Sequence, residues 1–116
     1  MNTSEVFPDD ENGEVLLRMQ RDGDDLTKPR DIDFSIVFPT ESAAVEFADH
    51  FRHRGFKVSV KTWDGKSDLP WDVTITQNML PAHAGISNLE EAFEFVAAPL
   101  GGRNDGWGCF RQLLLH

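Results

Sequence analysis

The sequence predicts an α+β sandwich. Four strands form one antiparallel sheet in the chain order β-α-β-β-α-β, two helices cover one face, and an extra helix precedes the first strand. Three observations carry this. Apolar residues alternate with polar ones over residues 30–38, 56–61 and 71–76, the period of a half-buried strand. They recur at helical spacing over residues 44–51 and 89–100. Between the second and third alternating segments stands Asp64-Gly65, a tight-turn dipeptide that makes those strands a hairpin.

The elements follow in order. Residues 1–12 are polar and acidic and contain Pro8, which predicts a flexible start. Val15, Leu16 and Met19 give a short helix over about residues 11–21 one apolar side, and Gly23 ends it. Pro29 stops any helix in the connection Asp24–Arg30. In the first strand Ile32, Phe34, Ile36 and Phe38 share one face, and Asp31, Asp33, Ser35 and Val37 share the other. Thr40 is placed to cap the next helix, with Glu41 in its positive first turn. Ala44, Phe47, Ala48 and Phe51 form its buried stripe, and Gly55 closes it. Phe56, Val58 and Val60 mark the second strand; Trp71, Val73 and Ile75 mark the third.

Residues 79–84 read as a connection. Ser87 and Glu90 match the S-x-x-E capping box, which predicts a helix start there. Leu89, Ala92, Phe93, Val96 and Leu100 are its expected core stripe. Pro99 and Gly101-Gly102 end it, Arg103-Asn104-Asp105 form a loop, and Trp107–Arg111 is the last strand. The element order is that of the split β-α-β, ferredoxin-like sandwich. The chain divides into a flexible acidic N-terminus (1–12), one domain (13–112) and a C-terminal tail (113–116). The fold hosts enzymes, sensors, RNA binders and regulators, so it selects no function.

Composition excludes more than it selects. The chain has 116 residues, enough for one modest core, and no apolar run of the ~20 residues a membrane helix needs. The acidic start shows no signal peptide, and the single Cys109 has no internal disulfide partner; a cytoplasmic location is expected. Twenty acids against 11 bases leave a net charge of −9. Ten of those acids, but only four bases, fall in residues 1–33. Such a surface repels phosphates and favours basic protein segments, so no direct nucleic-acid binding is expected. An RNA platform on the open sheet face would need stacking aromatics. Phe34 and Phe38 belong to the apolar face instead, and only Trp63 is a candidate.

No catalytic constellation emerges. His50 and His53 are three apart on a helix but read as dipole-compensating residues at its end beside Arg52 and Arg54. No metal or other cofactor is expected. Cys109 reads as a small core residue. Asp31 and Asp33 lie about 7 Å apart on one strand face, and a polar sheet face accounts for them.

The stretch Gly23-Asp24-Asp25-Leu26-Thr27-Lys28-Pro29-Arg30, the run into Phe38-Pro39-Thr40, the helix with Phe47-Ala48, then Gly55-Phe56-Lys57-Val58 and the ending Asp105-Gly106-Trp107-Gly108 together resemble the RraB family. The name stands for regulator of ribonuclease E activity B. The likeness runs from about Gly13 to Phe110. It implies a ferredoxin-like fold and a non-catalytic, protein-binding role: inhibition of ribonuclease E and a change in degradosome composition. The chain differs from the characterised branch at residues 111–116, which hold three leucines and no acid where that branch has an acidic tail. Pro29, Asp105, Gly106, Trp107 and Gly108 form the family signature. The acidic residues Asp22, Asp24, Asp25, Asp31 and Asp33 are the expected partner-binding set. The alternative is a small-molecule-binding or acylphosphatase-like hydrolytic domain using the Arg103-Asn104-Asp105 loop. Homo-oligomerisation through the open sheet face at Val37, Lys61 and Trp63 is a third expectation.

Overall fold

The structure, a computed structural model, describes residues 10–62 and 68–109. Helix α1 spans Glu11–Arg21. Its first turn is capped by Asp10, whose Oδ1 accepts from the Gly13 N–H at 2.8 Å. Glu11 and Glu14 near the start and Arg18 and Arg21 near the end complement the helix dipole. Strand β1 (Arg30–Phe38) fills the predicted span, and Ile32, Phe34, Ile36 and Phe38 are fully buried. Helix α2 (Glu41–Arg52) starts where Thr40 Oγ1 accepts from the Ala43 N–H, as its N-cap position requires. Ala44, Phe47, Ala48 and Phe51 face the core as their spacing predicts.

Strands β2 (Lys57–Thr62) and β3 (Trp71–Met79) pair antiparallel, with Val58 opposite Ile75 and Val60 opposite Val73. Strand β3 runs three residues beyond the predicted alternation, because β1 continues beside it to pair Arg30 with Met79. Helix α3 spans His83–Ala97. It begins four residues before Ser87, so the predicted capping box does not cap it. Ser87 Oγ and Glu90 Oε1 instead accept from Asn12 Nδ2 at 3.0 and 2.7 Å. Asn12 is therefore part of the folded domain, not of a loose start. After Ala97 the helix tightens into one 3₁₀ turn, Ala98–Leu100, that accommodates Pro99. Gly101 takes a left-handed φ of +78°, and the Gly102 N–H returns to the Ala97 carbonyl at 3.0 Å.

Strand β4 covers Arg103–Cys109 and so starts four residues before the predicted one. Gly102 makes this possible: a Cβ there would lie 2.3 Å from Phe38 Cε1, so only glycine lets the chain pass. Strand β4 pairs antiparallel with β1, Phe34 opposite Trp107 and Ile36 opposite Asn104, with one extra β4 residue between them. This bulge contains Gly106 at a φ of +103°, a backbone that glycine accepts without strain.

The sheet order is β2-β3-β1-β4, and every neighbouring pair is antiparallel. The core lies between its apolar face and the three helices, with Leu16, Phe34, Phe38, Phe47, Ile86 and Phe93 wholly buried. Phe93 meets Phe34 and Phe51 edge-on at centroid distances of 5.4 and 5.0 Å. Each such side chain contributes about 1.5–3 kcal/mol through burial, and the edge-to-face geometry fixes how α3 sits on the sheet.

Candidate functional site

The expected acidic set divides between exposed, half-buried and buried positions. Asp22 is exposed at the C-terminus of α1. Asp24 is buried at 4 % exposure and grips Arg30 through both carboxylate oxygens, with Arg30 Nη1 at 2.9 and 2.8 Å. It therefore leaves the partner-binding set: a carboxylate folded onto a buried guanidinium meets no partner. Asp25 accepts from both the hydroxyl and the N–H of Thr27, at 2.6 and 3.0 Å. Those two bonds hold its carboxyl below the usual carboxylate range.

Asp31 and Asp33 are exposed on the sheet face that no core residue occupies. Asn78 Nδ2 donates to Asp31 at 3.1 Å, and Thr76 Oγ1 donates to Asp33 at 2.6 Å. The cross-strand register places these partners directly opposite. Lys57 stands opposite Thr76 on β2, and Asp31, Asp33, Lys57, Thr76 and Cys109 line a shallow hollow of about 480 Å³. The remaining face is polar: Ser35 donates to Asp72 at 2.7 Å, and Lys61 lies opposite Asp72. Val37, expected to be available for self-association here, is only 7 % exposed, while Trp63 falls outside the described residues. Phe34 and Phe38 lie under the helices, so neither offers a stacking platform to a base.

Of the signature residues, Trp107 stands at the junction of α1, α3 and β4. Trp107 shares the face of Phe34 and packs half-buried against the core, and its indole Nε1–H donates to Asn12 Oδ1 at 2.9 Å. Pro29, Asp105 and Gly108 are exposed. Arg103, Asn104 and Asp105 belong to β4, not to a loop. Asn104 makes three bonds: its Nδ2 donates to Glu90 at 2.6 Å, its backbone N–H to Glu94 at 2.9 Å, and its Oδ1 accepts from the Gly106 N–H. These bonds tie the Asn104 carboxamide to α3 and to its own strand, while Arg103 and Asp105 are exposed.

Cys109 is half-buried, and that burial pushes its thiol above its ordinary pKa. At the end of α2, His53 Nδ1 lies 2.7 Å from the Asp49 carbonyl oxygen, and His50 meets the ring of Phe51 edge-on. Among the described residues no group of three or more His, Cys, Asp or Glu side chains could hold a metal ion. No helix among them is long and apolar enough to cross a membrane.

One feature escaped the sequence reading. Leu89 and Val96 of the predicted core stripe are half-buried and Ala92 is exposed. With Phe95 they form one bank of an open groove of about 920 Å³, whose other bank is the end of α2 and Phe56. Helical spacing marks an apolar arc but does not say how much of it the core covers.

Comparison with known proteins agrees with the signature. No curated protein matches the chain. Residues 9–109 match the family described as Regulator of ribonuclease activity B, a span that includes every helix and strand from α1 to β4. The chain belongs to the RraB family of regulators of ribonuclease activity.

Proposed function

We propose that this chain regulates RNA degradation by binding a ribonuclease of the ribonuclease E type directly, without catalysing a reaction itself. Family membership over residues 9–109 carries the reading. Its physical support is charge: the chain bears −9, and Asp22, Asp25, Asp31 and Asp33 project from α1, the following turn and the open sheet face. Basic, partly extended segments of a nuclease scaffold fit such a surface, and their association is steered by the field. The same field repels RNA phosphates, so regulation acts on the protein and its degradosome partners, in the cytoplasm. The architecture we infer is the ferredoxin-like sandwich, supported by the order β2-β3-β1-β4 and its antiparallel neighbours.

The test is cleavage of a model RNA by purified ribonuclease E with this chain added at micromolar concentration, alongside direct binding measurements. Slowed cleavage and binding are expected. Asp31→Lys with Asp33→Lys should weaken binding about tenfold at low salt, with the difference shrinking as salt screens the charges. Cleavage and binding that both ignore the added chain would refute the proposal.

A further inference from the structure

Helix α3 carries more apolar surface than its own core uses. Ile86, Phe93 and Ala97 are fully buried and seat the helix on the sheet. Leu89, Ala92 and Val96 line the groove beside α2, and Phe95 next to them is 82 % exposed. Scattered exposed hydrophobes are ordinary. A phenylalanine standing beside an apolar hollow is a different situation, because knob and hole occupy one patch.

We propose that this face is a self-association surface, on which a second copy of the chain docks about a two-fold axis through the groove. Each Phe95 enters the other copy's hollow between α2 and α3. The joint presence of knob and hole selects a second copy over a foreign ligand. A two-fold interface needs a single surface to supply both, whereas an unrelated ligand needs only the hole. Charge points the same way. The α3 bank carries Glu91 and the α2 bank carries Arg54. Arg54 is held at that rim by donating to the His50 carbonyl oxygen at 3.1 Å. A two-fold axis along the groove lays the acidic bank of one copy over the basic bank of the other. A basic segment, which the acidic chain attracts elsewhere, meets Arg54 here. Asp31 and Asp33 lie on the opposite face of the sheet, so the dimer keeps both acidic faces open. The proposal is independent of the ribonuclease reading.

Sedimentation velocity over a concentration series at physiological salt tests it. The expected result is a reversible dimer whose dissociation constant rises at least about 100-fold in Phe95→Glu, some 2.8 kcal/mol at 1.4 per decade. The thermal midpoint of that variant should match the wild type, since the ring makes little contact within its own chain. Glu91→Arg and Arg54→Glu should each weaken the dimer, and the two changes in one chain should restore it. A monomer at every concentration would overturn the proposal, as would a dimer indifferent to Phe95→Glu or a double charge swap no tighter than the singles. A monomer whose Phe95→Glu variant loses ribonuclease inhibition would assign the groove to the nuclease and overturn it equally.

Discussion

Replacing Asp24 with Asn tests the one buried ion pair among the described residues. Arg30 opens β1 with the parity of Ile32 and Phe34, so its side chain enters the buried side of the sheet. Both side chains of the pair are 2 % exposed. Arg30 Nη1 holds both oxygens of Asp24, and Nη2 donates to the Asp25 and Lys28 carbonyl oxygens at 2.8 and 3.2 Å. One guanidinium thus closes the whole turn between α1 and β1. Asn keeps the size of Asp24 but removes its charge and faces an N–H group toward the guanidinium. Breaking a buried pair from one side costs about 3–5 kcal/mol, a large part of the roughly 5–15 kcal/mol that stabilises a domain. At about 4 °C per kcal/mol for a domain near this size, the midpoint should fall by about 12–20 °C. Urea titration followed by tryptophan fluorescence and by circular dichroism would measure the loss. Asp24→Leu with Arg30→Met removes both charges and should cost less than Asp24→Asn alone. If Asp24→Asn costs under about 1 kcal/mol, or the two single changes simply add, the pair does not act as argued.

Two further outcomes follow from local geometry. Gly102→Ala would press a methyl group against Phe38 and the Val37 carbonyl oxygen, 2.3 and 2.9 Å away, and should destabilise by about 2–3 kcal/mol. Gly108→Ala, with nothing within 4 Å of the new methyl, should stay within about 0.5 kcal/mol of wild type; equal costs in urea titration would contradict the close approach. The Asp10 carboxyl is held below its ordinary value of 3.8, first by the Gly13 N–H and then by His83. Folding therefore favours the ionised form. That stabilisation is complete above pH 3.8 and is lost as pH falls through the lower folded value. Thermal melts of Asp10→Asn should lose stability less steeply than wild type in that acid range, and parallel curves would sink the assignment.

Strand β1 and the start of helix α2 were legible to the residue because their signals are local. Alternation from Ile32 to Phe38 and a Thr40 cap each act within a few positions. Errors arose where a side chain answers to a distant partner. Ser87 and Glu90 have the spacing of a cap, yet both accept from Asn12, 75 and 78 residues away. The true start of α3 follows Ala82, which has no capping side chain to betray it. The beginning of β4 carries no alternation, because Arg103–Asp105 are all polar; pairing of Arg103 and Asn104 with β1, and of Asn104 with α3, places them. In sequence Asp24 is one more acid among many; its burial follows from Arg30 lying on the core side of β1. The site was least legible: whether Leu89, Ala92 and Val96 are core or groove depends on where α2 ends, which no spacing within α3 encodes.

Within the signature stretch Asp105-Gly106-Trp107-Gly108, Trp107 opens a relay of hydrogen bonds. Trp107 donates to Asn12, Asn12 donates to Ser87 and Glu90, and the second oxygen of Glu90 accepts from Asn104. One relay therefore ties α1, α3 and β4 together, and the Gly106 bulge lets Trp107 and Asn104 both point into it. Each part-buried bond is worth about 0.5–1.5 kcal/mol net, and more when one partner is left unsatisfied. Loss of activity on changing Trp107 or Asn104 would therefore report displacement of α3, not a lost contact with a nuclease. The surfaces that separate docking from folding are those whose side chains the core does not use. Asp31 and Asp33 on the open sheet face and Phe95 on α3 meet that condition, and they lie on opposite sides of the same sheet. Changing each alone, with the relay intact, separates what the domain binds from what holds it together.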